Sequence, residues 1–102
     1  MSILHTVNKS PFERNALESC LKFANREDPV LLFEDGVYAV LKGTSAEGQV
    51  KAALDTQPIY VLGPDLAARG FSEARVLDGV KVVDYAGFVD LAAETDKVQA
   101  WL

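Results

Sequence analysis

PIYVLGPDLAARG, residues 58 to 70, writes a strand and the helix after it in one stretch. Pro58 opens the apolar run Ile59 to Leu62. Pro64 comes early in a helix, Asp65 gives that helix an acid in its first turn, and Gly70 lies just past its end. A strand feeding a compact helix is half of a βαβ unit, and the pattern recurs in both directions. Toward the N-terminus, Ile3 to Val7 reads as a first strand. Ser10-Pro11-Phe12-Glu13 reads as a capping box with proline at the first helical position, and Leu17, Cys20, Leu21 and Ala24 follow at i, i+3, i+4 and i+7. Val30 to Phe33 is a second strand, Gly36 to Leu41 a short helix stopped by Gly43, and Val50, Ala53 and Leu54 one or two further helical turns. Toward the C-terminus, Val80 to Val83 is a fourth strand and Asp84 caps a last helix whose Phe88, Leu91 and Ala92 face the sheet. Val76-Leu77 and the tail Val98 to Trp101 are candidates for short extra strands.

The order βαβαβαβα calls for an α/β fold: a mostly parallel sheet of four to five strands, flanked by helices and joined by right-handed crossovers. A chain of 102 residues buries about two thirds of its unfolded surface and supports one core, so a single domain over residues 1–102 is expected. Hydrophobic residues make up 49% of it. Either both faces of the sheet are covered, or apolar surface is left for a partner.

Ten basic residues against fifteen acidic ones give a formal net charge of −5, and the basic ones are scattered. Direct nucleic-acid binding is not expected, because phosphate contacts need a basic patch. No apolar run approaches the ~20 residues that span a bilayer, and the N-terminus passes into a strand without a signal-peptide pattern, which points to the cytoplasm. One cysteine excludes an internal disulfide and a CxxC motif.

In an open parallel sheet, function collects at the carboxyl ends of the strands. Here that rim offers Asn8 and Lys9, Glu34 and Asp35, Gly63 to Asp65, and Asp84 and Tyr85. Asp65 and Asp84 stand where helices begin and read first as helix caps or first-turn acids. There is no GxGxxG or GxxxxGK[ST] loop to cradle phosphates, and Asn8-Lys9 after the first strand does not supply the paired acids of a phosphoacceptor site. No cofactor or metal is expected. His5, inside the first strand, reads as a packed structural histidine. Cys20 is a candidate accessory thiol, yet it falls on the apolar stripe of the first helix, where a cysteine commonly serves as a small hydrophobe. Trp101 would anchor the tail in the core or against a partner, and it is the candidate interface residue.

The ordered series Leu4-His5-Thr6, Ser10-Pro11, Leu31-Leu32 with Asp35-Gly36-Val37, Leu62 with Asp65-Leu66 and Ala68-Arg69-Gly70, Val83-Asp84-Tyr85 with Phe88-Val89, and Ala100-Trp101 resembles the DsrH/TusB family of sulfur-relay subunits. The resemblance implies a DsrEFH-like fold and a non-carrier subunit of a DsrEFH/TusBCD-type sulfurtransferase, an α2β2γ2 heterohexamer with DsrE-like and DsrF-like partners. In such a complex a cysteine of the larger partner holds sulfane sulfur as a persulfide and passes it to an acceptor of DsrC/TusE type. A cysteine at position 20 is similar to the DsrH branch, which implies dissimilatory sulfur oxidation as the setting. The alternatives are a TusB-type subunit in 2-thiolation of tRNA wobble uridine, and a thiol enzyme that carries persulfide on Cys20 itself. A stand-alone small-molecule binder at Asp35, Asp65 and Asp84 is the remaining reading.

Overall fold

The computed structural model describes residues 2–102. Five strands, β1 (Ile3–Val7), β2 (Val30–Leu32), β3 (Ile59–Leu62), β4 (Lys81–Val83) and β5 (Lys97–Trp101), form one sheet in the order β4-β3-β2-β1-β5, and every pairing is parallel. The helices are α1 (Ala16–Phe23), α2 (Glu47–Ala53), α3 (Gly63–Ala68) and α4 (Tyr85–Glu94), with a 3-10 segment at Glu34–Val40 and a single 3-10 turn at Glu73–Arg75.

Handedness decides where the helices lie. The chain steps in one direction from β1 to β4, so right-handed crossovers place α1, the 3-10 segment, α2 and α3 on one face. It then returns across the sheet to β5, which puts α4 on the other face. The cores follow the strand alternation. On the front, Val7, Val30, Leu32, Ile59 and Val61 pack with Leu17 and Cys20 of α1, Val50 of α2 and Leu66 of α3. On the back, Leu4 and Leu31 pack with Leu91, joined by Tyr60, Val83, Phe88 and Ala92. One ten-residue helix is therefore the only helix on the back face.

Two expectations are corrected. Ser10 does not begin a helix: its Oγ accepts from Phe12 N–H at 3.1 Å and its carbonyl from the N–H groups of Glu13 and Arg14, a serine turn that outcompetes the capping box. The helix starts only at Ala16. Nor is Val76-Leu77 a strand, whereas the tail, read as a candidate strand, is one. β5 pairs with β1 along its full length, from Ile3 with Lys97 to Val7 with Trp101, whereas Val76 makes only an isolated antiparallel bridge to Leu41. At three helix ends the structure agrees with the pattern: Asp84 caps α4 by accepting from Gly87 N–H at 2.8 Å, Pro64 stands in the first turn of α3, and Gly70 follows that helix at φ 80°.

Candidate functional site

The carboxyl ends of β1, β2 and β3 are tied into one polar network. Asn8 Nδ2 donates to Glu34 Oε1 at 3.1 Å, Glu34 N–H donates to Asp65 Oδ2 at 2.6 Å, and Arg69 donates through Nε and Nη2 to Asp35 Oδ1 at 3.1 and 2.9 Å. Glu34 holds φ at 49°, a region uncommon for a residue with a side chain, and its bonds to Asp65 and Asn8 fix it there. Next to it, Gly36 lies so close to β1 that a Cβ would sit 2.3 Å from the carbonyl oxygen of Val7. Asn8 Oδ1 is buried with no hydrogen-bond partner. Asp35 and Asp65 thus belong to a structural network with Arg69, while Asp84 takes no part in it and spends one oxygen on its own helix.

A cleft of about 610 Å³ opens between β3 and β4, lined by Gly63, Pro64, Ala67, Glu73, Val82, Val83, Asp84 and Gly87. Its position follows from topology. β3 leaves the sheet toward the front and β4 toward the back, so the two connections part at this point, which is where open parallel sheets place ligands. Two glycines let the helix starts close on β4: a Cβ would lie 3.0 Å from Val82 Cγ1 at Gly63, and 2.9 Å from Val83 Cβ at Gly87. The lining is apolar with two carboxylates, Glu73 and Asp84. It holds no thiol, imidazole or hydroxyl that could act as a nucleophile.

Cys20 lies elsewhere. It is fully buried in the front core on α1, and burial, followed by the nearby negative charge of Asp28, pushes its thiol up to about 12. His5 and Trp101 come together from the two ends of the chain. Trp101 Nε1–H donates to His5 Nδ1 at 3.1 Å, and His5 Nε2 lies 3.0 Å from Asp28 Oδ2. Indole can only donate, so Nδ1 must accept and the ring proton sits on Nε2, directed at Asp28. Asp28 also accepts from Ile3 N–H and Asn25 N–H. Burial alone would raise its pKa, but the bonds from His5, Ile3 and Asn25 outweigh that and hold it below the usual carboxylate range. Phe23 packs edge-on against the indole, ring centroids 5.6 Å apart.

The His5–Asp28–Trp101 cluster and the Asp35–Arg69 pair were not evident in the sequence. Asp28 stands 23 positions from His5, and Arg69 stands 34 from Asp35. The one local signal was polar: an acid directly before Pro29 and the second strand. Among the described residues no group of histidine, cysteine, aspartate and glutamate could hold a metal ion, and no helix is long and apolar enough to cross a membrane.

These features define a class: a small, open, all-parallel α/β domain with a cleft at its switch point and its one thiol sealed in the core. Within that class the chain belongs to the DsrH-like family, whose model, described as DsrH like protein, matches residues 9–98. It is 39% identical over 100 residues to Protein TusB of Erwinia tasmaniensis and 34% identical over 99 residues to Protein TusB of Pectobacterium parmentieri, in each case over 97% of this chain and 100% of the relative. Its fold is that of the ychN protein from E. coli, with a TM-score of 0.82 over 98% of both chains at 20% identity. MTH1491 from Methanobacterium thermoautotrophicum has a similar fold, with a TM-score of 0.73 at 15% identity over 96% of this chain and 97% of that one.

Proposed function

We propose that this chain is the TusB-type subunit of a cytoplasmic sulfur-relay complex and carries no sulfur itself. The observation behind this reading is the separation of cleft from thiol. The switch-point cleft is lined without a sulfur nucleophile, and the chain's single cysteine is buried with its thiol protonated at neutral pH. A persulfide relay needs an accessible thiolate, so the sulfur belongs on a DsrE/TusD-type partner. There an acceptor thiolate of TusE type attacks the outer sulfur, the S–S bond breaks, and the partner cysteine leaves as thiolate while the acceptor becomes the persulfide. The present chain's part is to complete an α2β2γ2 assembly with its DsrE-like and DsrF-like partners.

The setting we favour is tRNA wobble-uridine 2-thiolation rather than the dissimilatory sulfur oxidation suggested by the cysteine at position 20. Relatives matched over the whole chain carry the name TusB, and a packing role accounts for Cys20 without any branch-specific chemistry. Native mass spectrometry of the three co-expressed subunits, before and after exposure to a persulfide donor, tests the reading. We expect a heterohexamer that gains sulfur only on the larger partner, and a Cys20→Ser complex that transfers at the parent rate. Sulfur on Cys20, or failure of this chain to join the complex, would refute it. Loss of 2-thiouridine on deletion of the gene, restored by the Cys20→Ser form, is expected in the cell.

A further inference from the structure

β5 leaves one edge of the sheet open, and its outward groups can be identified. In β1 the odd-numbered residues face β2: Ile3 N–H donates to Asp28, His5 N–H to the Pro29 carbonyl, and the Val7 carbonyl accepts from Phe33. Leu4 and Thr6 therefore face β5. In a parallel ladder a residue bonds to the two neighbours of the residue beside it. Leu4 stands beside Val98 and Thr6 beside Ala100, so it is Lys97, Gln99 and Trp101 that turn their backbone groups inward. Val98 and Ala100 turn theirs out, where the Ala100 carbonyl accepts only from the exposed side chain of Gln99, Nε2 at 3.3 Å, and Leu102 continues the alternation. The same three side chains share the back face with Leu4, and Val98 is 52% and Leu102 81% exposed. β5 has no proline to blunt this edge, and its five residues contrast with the three of β4 at the opposite edge.

We propose that this edge pairs with the same edge of a second copy, antiparallel about a two-fold axis at Ala100. That register is the one in which Val98, Ala100 and Leu102 all find partners. Val98 meets the second copy's Leu102 at either end and Ala100 meets its counterpart at the centre, with each pair exchanging two backbone hydrogen bonds. The side chains fit as well, since the small residue falls on the axis and the large apolar ones flank it. The result is a continuous ten-stranded sheet with α4 of both copies on one side. An edge of this length buries less than about 1,200 Å², so the dimer is a concentration-dependent one. The net charge of −5 on each copy opposes it, and added salt strengthens it. The proposal stands independently of the sulfur-relay reading.

Sedimentation velocity on the isolated chain over a concentration series tests it. Wild type is expected to shift from monomer to dimer, more readily at high salt. Ala100→Lys and Ala100→Glu each set like charges across the axis and should stay monomeric, while their equimolar mixture should dimerise again. Ala100→Pro removes only an outward donor and should be monomeric with an unchanged thermal melt, whereas Gln99→Pro breaks the ladder to β1 and should lower the melt. A wild type that remains monomeric throughout, charged variants that associate like wild type, or a mixture no better than its components would each overturn the proposal. So would amides of Val98 and Ala100 that gain protection only when a different subunit is added, which would make that subunit the occupant.

Discussion

A thiol with a pKa near 12 is about one part in ten thousand thiolate at pH 8, so Cys20 should resist alkylation in the folded protein and react at once when it is unfolded. Mass spectrometry after iodoacetamide, with and without urea, checks this; rapid native modification would contradict the buried placement. The same shift has a signature in stability. The folded pKa lies above the unfolded value, so the contribution is fully present below pH ~9 and is lost as pH rises toward 12. Cys20→Ala should flatten that alkaline decline relative to wild type. Asp28 behaves with the opposite sign. Its folded pKa lies below the unfolded value of ~3.9, so its contribution is present at neutral pH and disappears as pH falls below that value. Asp28→Asn should cost about 2–3 kcal/mol in urea unfolding at pH 7, because one amide cannot accept from His5, Ile3 and Asn25 together, and the variant should lack the acid limb. An unchanged midpoint would mean that the cluster is not formed in solution.

Between elements, the closest approach is the 3-10 segment against β1. A methyl group on Gly36 would run into the backbone of Val7, which cannot rotate away, so Gly36→Ala should cost about 1–3 kcal/mol or more and lower the melting temperature by several degrees. A neutral result would show that the Glu34–Val40 segment can shift off the strand. This contact also shows what a sequence can and cannot disclose. Helix ends fixed by local chemistry were legible: Pro64, Asp65 and Gly70 frame α3, and Asp84 caps α4. Ser10 misled because the residues that favour a capping box equally favour a serine turn, and the choice depends on what the loop after β1 packs against. The strand rim was legible as a location, since the four main strands of the pattern are strands in the fold and end within one residue of where the pattern puts them. Which rim groups join was not, because Asn8, Glu34, Asp35, Asp65 and Arg69 meet only through the pairing of strands far apart in the chain.

For the molecule as a whole, the lopsided covering of the sheet matters most. The front face has three helices and a 3-10 segment; the back has α4 alone, with Tyr85 and Val89 exposed on its outer side. Leu91→Ala should cost about 2–4 kcal/mol and expose the back face to the dye ANS before the front core melts, which parallel fluorescence and circular dichroism melts can detect. Coincident transitions would indicate that the two faces unfold as one. The place of β5 in the sheet has a consequence for biosynthesis. β1 is made first and lies inside the sheet, yet its neighbour on one side is the last strand to be made, so position 3 waits for position 97 and position 7 for position 101. During synthesis, therefore, one side of Ile3–Val7 stays unpaired while residues 8–96 are added, and the sheet closes only when β5 reaches it.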